Sequence, residues 1–170
     1  FCTSTDSELC AATYQKHPAD TFHRLTIFDD LTTVHGLRKT LRIVSEAKGY
    51  ISLHGSLPCT GGSPWWHMIL FKNIGAEKSR QLHRDKMHIL LNHFEIVANA
   101  VLKKGGCVSF EWPNSSDYWK DPHVVDFIQR HKLKKAVVHG CAYGLKDSKG
   151  THLKKPWKIM TSSDILSLIH

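Results

Sequence analysis

The chain has 170 residues, 41% of them hydrophobic, enough for one domain with a sizeable core. It contains no run of about 18 apolar residues, so no membrane-spanning helix and no membrane partner is expected. Its formal net charge of +8 and pI near 9.3 have the sign expected for a partner that carries phosphates.

The first ten residues, FCTSTDSELC, carry neither a basic leader nor an apolar h-region, and no starting Met. They read as part of a longer chain, with Phe1-Cys2-Thr3-Ser4 as the tail of a strand. Asp6 to Lys16 reads as a short helix stopped by His17-Pro18. Phe22 to Phe28 alternates apolar and polar residues, the period of a strand, and ends in Asp29-Asp30. Thr33 can cap a helix whose apolar stripe is Val34, Leu37, Leu41 and Val44, with Gly49 as its stop.

A strand Tyr50–His54 follows and breaks off in Ser56-Leu57-Pro58-Cys59-Thr60-Gly61-Gly62-Ser63-Pro64, before Trp65-Trp66. Proline fixes φ and removes a donor, and glycine opens backbone conformations closed to other residues. A thiol in such a turn at the carboxyl end of a strand faces the crevice where α/β proteins mount chemistry. A long helix from about Glu77 to Lys104 buries Met87, Leu90, Leu91, Phe94, Val97, Ala98 and Val101, and Gly105-Gly106 ends it. A short strand, Cys107–Phe110, delivers Glu111-Trp112-Pro113. Asp121-Pro122 opens a helix to about Lys132. Ala136–His139 and Trp157–Thr161 are strands, and Asp164–Ile169 is a closing helix.

Strands alternating with helices predict an α/β fold, a three-layer Rossmann-like sandwich with a mostly parallel sheet. The Lys- and Gly-rich loop between the last two strands allows an antiparallel edge. There is no internal repeat and no linker, so residues 1–170 form a single domain. Five cysteines without a CxxC pair (Cys2, Cys10, Cys59, Cys107, Cys141) point to free thiols in a reducing compartment, nucleus or cytoplasm. His83, His88 and His93 recur at every fifth residue, about 140° apart on a helix, so they share no face and no metal is expected.

Pro58-Cys59 after one strand, and Glu111 in Phe110-Glu111-Trp112-Pro113 after the next, resemble the Rossmann-fold S-adenosylmethionine-dependent methyltransferases, in particular the DNA cytosine-5 methyltransferases. Gly140-Cys141-Ala142-Tyr143-Gly144-Leu145 with Lys155–Ile159 resembles that family's later strand pair. The pattern CTSTDSEL, PCTGGSPW, FEWP, GCAYGL and KKPW also resembles methyltransferase-like segments of eukaryotic mobile elements. Phe1–Asp6 stands where that family has a Phe-x-Gly-x-Gly turn, and it has no glycine. No glutamine–arginine motif or separate target-recognition domain is found.

The resemblance implies methyl transfer from S-adenosylmethionine to a nucleic-acid base, cytosine carbon 5, in DNA rather than RNA. Cys59 would add to carbon 6 as the nucleophile. Glu111 would hold and protonate N3, its pKa raised by burial beside Trp112. The base must be flipped out of a duplex or be single-stranded. Thr3, Asp6, Asp29, Asp30 and Pro58 would hold the cofactor. Trp65, Trp66 and Trp112 would stack bases, and Lys154 and Lys155 would meet phosphates. A different class is a degenerate methyltransferase fold kept as a nucleic-acid-binding or assembly module. Amino methylation, from Ser63-Pro64-Trp65, and a Cys-dependent hydrolase using His54 or His67 are further alternatives.

Overall fold

The computed structural model describes residues 21–73 and 75–164. Four strands form one sheet: β1 (Ser52–Gly55), β2 (Cys107–Pro113), β3 (Lys134–His139) and β4 (Pro156–Thr161), in the order β1-β2-β4-β3. β1 pairs with β2 in parallel, Leu53 opposite Val108 and Gly55 opposite Phe110. β4 pairs antiparallel with both β2 and β3. The expectation of a mostly parallel sheet is therefore corrected: one pairing is parallel and two are antiparallel. The antiparallel edge expected of the last two strands is present: β3 is an edge strand and β4 is its antiparallel neighbour. β4 runs back between β2 and β3, so that three strands share a direction but only two of them touch.

The helices are α1 (Val34–Glu46), α2 (Trp65–Lys72), α3 (Ala76–Lys103) and α4 (Pro122–Arg130). In α3 the seven apolar residues expected to be buried are buried, because they recur at the three- and four-residue steps that keep one helix face turned to the core. Gly105, at φ +75°, takes the left-handed turn that ends it. α1 is capped by the Thr33 hydroxyl, which accepts from the Gly36 amide. Its last carbonyls do not wait for Gly49: Lys104 Nζ donates to those of Val44, Ser45 and Ala47, charge-assisted bonds at the negative end of the helix dipole.

Along β2 the side chains alternate between the two faces of the sheet. Val108, Phe110 and Trp112 turn towards α3 and α4, where Phe94, Phe110 and Phe127 meet edge-on with ring centroids 5.6–6.2 Å apart. Ser109, Glu111 and Pro113 turn to the other face. The described residues thus make two layers, helices over one face of the sheet. The strand Phe1–Ser4, the helix Asp6–Lys16 and all but Asp164 of the closing helix lie outside the described residues.

Phe22–Phe28 is not a strand. Residues 21–26 pair with no strand among the described residues, and Ile27–Asp29 is a 3-10 turn. Thr26 caps that turn: its hydroxyl accepts from the Phe28 amide, while Asp29 reaches back to the Thr26 amide at 2.6 Å. This capping box satisfies amides that a strand would have paired elsewhere, and it leaves Ile27 and Phe28 more than four-fifths exposed.

Candidate functional site

Two indoles hold the segment after β1, and a third holds the end of β2. Trp112 Nε1 donates to the Leu57 carbonyl at 2.7 Å, and Trp66 Nε1 donates to the Thr60 carbonyl at 2.7 Å. Trp119 Nε1 donates to the Pro113 carbonyl at 2.9 Å. The first two bonds bracket Pro58 and Cys59, fixing the chain on each side of the thiol. Thr60–Gly62 is a 3-10 turn, closed by the Gly62 amide on the Cys59 carbonyl. Glycine is required here by contact. A Cβ on Gly61 would lie 2.3 Å from the Tyr118 hydroxyl, and one on Gly62 2.6 Å from the Tyr118 ring.

Cys59, half-buried, lines an open cleft of about 430 Å³ with Ser63, Pro64, Trp65, Pro113, Ser115 and Ser116. The cleft lies at the carboxyl ends of β1 and β2, where the expected crevice belongs. Tyr118 closes the floor behind Gly61 and Gly62; burial pushes its pKa up to about 12, so its hydroxyl stays a neutral donor towards the His83 carbonyl, 3.4 Å away.

Glu111 does not line this cleft. It lies within β2 rather than beyond its end, opposite Ile159 of β4. Because strand side chains alternate, Glu111 shares a face with Pro113 of the cleft wall, about 7 Å further along the strand. Its neighbour is His54 across the β1–β2 pair: His54 Nε2 is 3.8 Å from the Glu111 carboxylate, and Nδ1 is 2.9 Å from Ser109 Oγ. Trp112 is not beside Glu111; its ring is on the other face of the sheet, between Phe110, Tyr118 and Trp119 at centroid distances of 5.1–5.3 Å.

The residues expected to stack bases therefore divide. Trp112 is fully buried and Trp66 nearly so, and both indoles are committed to holding loops, which corrects the expectation that they offer a face to a base. Trp65 is 68% exposed and lines the cleft. Lys154 and Lys155 are exposed just before β4 begins, at the sheet end that carries the cleft, since Trp157 pairs with Pro113. Lys155 Nζ lies 5.0 Å from the centre of the Trp157 ring.

Of the residues expected to hold S-adenosylmethionine, Thr3 and Asp6 lie outside the described residues. Asp29 is taken by Lys39 Nζ at 2.5 Å and by the Thr26 amide. Burial raises its pKa, but these partners outweigh burial and hold it below the ordinary aspartate value. Asp30 accepts from the Thr32 hydroxyl at 2.5 Å, its own backbone in the left-handed region at φ 36°. Both carboxylates thus have local partners, Asp29 in the capping box and Asp30 in a turn with Thr32. Pro58 is exposed next to Cys59.

The sequence reading missed α2 altogether, and with it the pair of His67 Nε2 and Asp117 Oδ2 at 2.9 Å. That pair supplies the acid a histidine-assisted thiol would need, but neither residue lines the Cys59 cleft. No family model, no curated protein and no solved structure matches this chain.

Proposed function

We propose that the domain acts on a nucleic-acid base by methyl transfer, with cytosine carbon 5 as the acceptor. The observation that carries this reading is Cys59 itself: a thiol clamped from both sides in a proline–glycine turn, at the mouth of a cleft walled by the end of the neighbouring parallel strand. In this reading the cleft admits an extruded base, with the exposed Trp65 indole offering it a flat apolar wall, a contact of about 1–3 kcal/mol. The Cys59 thiolate adds to carbon 6 as N3 takes a proton, which makes carbon 5 nucleophilic. Once carbon 5 carries the methyl group its proton leaves to solvent, the bond between Cys59 sulfur and carbon 6 breaks, N3 gives up its proton and the thiolate is restored. Glu111, beside His54 and outside the cleft, meets the N3 edge where the base extends past Pro113 along the face the two residues share. S-adenosylmethionine would supply the methyl group. Lys154 and Lys155 at the same rim meet phosphates, in keeping with the +8 net charge.

A second reading, a methyltransferase-like fold that binds nucleic acid without catalysis, is favoured by two observations. Asp29 and Asp30 have local partners, and Glu111 stands outside the cleft.

The test is incubation with labelled S-adenosylmethionine and mixed DNA and RNA, for the native chain, Cys59→Ser and Glu111→Gln. Label transfer lost in both variants supports the catalytic reading. Nucleic-acid binding without transfer, and no heat of binding with S-adenosylmethionine, leaves the binding module. Label transfer untouched by both substitutions removes the roles assigned to Cys59 and Glu111.

A further inference from the structure

Away from that cleft, the long helix and the start of α4 bring together two imidazoles and a buried carboxylate. His88 Nε2 lies 3.0 Å from Asp121 Oδ2. The His88 and His123 rings are 4.5 Å apart between centroids, tilted by 57°. One ligand atom from each of the three residues lies within 4.8 Å of the others. We propose that His88, Asp121 and His123 form a binding site for a borderline divalent cation, of which Zn²⁺ is the type. This inference is independent of the proposed methyl transfer.

The donor set suits such an ion. Neutral imidazoles and a carboxylate are its preferred nitrogen and oxygen ligands, and three protein ligands leave a position for water. Ligand atoms around a tetrahedral ion with bonds near 2.0–2.1 Å stand about 3.3 Å apart. The His88–Asp121 pair is already close to that spacing. His123 is exposed, so its ring is free to turn through the remaining distance.

The carboxylate is also oriented as a ligand has to be. Its Oδ1 accepts from the His123 amide at 3.1 Å, and its Oδ2 accepts from Arg84 Nη2 at 3.1 Å. Such outer partners fix the plane of a ligating carboxylate. The Arg84 guanidinium, a positive charge on the same oxygen, opposes the ion and moderates its affinity. The open side of the cluster gives on to a groove of about 410 Å³, walled by His88, His123, Asn92, Glu95, Asp126 and Arg130, through which a hydrated ion can enter. The fivefold spacing of His83, His88 and His93 pointed away from a metal because it considered one helix; His88 instead finds its partners more than thirty residues on.

The experiment is titration of the whole chain with Co²⁺, followed by visible absorption, with Zn²⁺ as competitor. The expected result is saturable binding with the weak d–d bands of a nitrogen–oxygen set, abolished by excess Zn²⁺. His123→Ala, at an exposed position, should weaken binding roughly tenfold or more. Asp121→Asn, which keeps the helix cap because asparagine caps as well as aspartate, should weaken it at least as much. Absence of saturable binding at millimolar Co²⁺, binding undiminished in both variants, or an intense near-ultraviolet thiolate-to-cobalt band placing the ion on cysteines would each overturn the proposal.

Discussion

Trp112 and Leu57, 55 positions apart, are joined by a 2.7 Å bond from the indole nitrogen to the backbone carbonyl. The bond ties the turn that carries Cys59 to the middle of the sheet. A buried carbonyl left without a donor costs about 1–3 kcal/mol, and the ring itself fills the aromatic cluster. Trp112→Phe is expected to lower stability by about 2–4 kcal/mol. It should also speed the reaction of Cys59 with a disulfide probe such as Ellman's reagent, with Cys59→Ser identifying that thiol. Denaturant unfolding and the labelling rate report the two effects separately.

Gly61 faces the Tyr118 hydroxyl and, at 3.2 Å from its added Cβ, the backbone of Arg84. The backbone of α3 cannot withdraw, so Gly61→Ala is expected to destabilise by about 1–3 kcal/mol, the usual range for overpacking. Gly61→Ala combined with Tyr118→Phe relieves the contact with the hydroxyl and leaves those with His83 Cβ, at 2.9 Å, and the Arg84 amide. Its unfolding midpoint should lie above that predicted from the sum of the single variants.

Tyr118 gives an alkaline signature. Its folded pKa is raised from 10.0 to about 12, by burial first and by the nearby Asp121 charge, against the lowering effect of Arg84. The unfolded chain loses this proton more readily, so the stabilisation is complete below pH 10 and is lost as pH rises towards 12. Ultraviolet difference titration of the folded protein should show a late tyrosine ionisation that Tyr118→Phe removes, and the same substitution should flatten the alkaline fall in stability.

Glu95 gives the opposite, acid signature. Burial raises its pKa, but Arg130 and His131 more than reverse this and hold it below 4.5. Arg130 donates to both carboxylate oxygens, at 2.8 and 2.9 Å, and His131 Nε2 lies 3.0 Å from one of them. The carboxylate therefore stabilises the fold above its unfolded pKa, and the contribution is lost as pH falls through the lower, folded value. Glu95→Gln should cost about 1–2 kcal/mol near neutral pH. It should also reduce the steepness of acid unfolding below pH 4.5.

Local patterns in the sequence carried the elements whose burial is decided along one helix or strand. The helix expected from about Glu77 to Lys104 is Ala76–Lys103, and the strand expected at Trp157–Thr161 is Pro156–Thr161. The turn bearing Cys59 was legible because proline and glycine act locally. What escaped depends on distant partners. Phe22–Phe28 has a strand's alternation, yet the Thr26–Asp29 capping box claims its end. An antiparallel last pair was expected, but the insertion of β4 beside β2 is a pairing between segments some fifty residues apart, which no period records. The indoles of Trp66 and Trp112 were expected to offer a face to a base and are buried, their N–H groups bonded to the carbonyls of Thr60, 6 residues away, and Leu57, 55 residues away.

Since β4 lies between β2 and β3, β3 has no backbone ladder among the described residues except the one β4 provides. A ribosome making this chain releases β1, β2 and β3 in order, and the last of them must wait, unpaired, until residues 156–161 emerge. Closure of the sheet therefore waits on β4, and the unpaired edge of β3 during that interval is where a nascent chain of this topology is open to chaperone capture or to self-association.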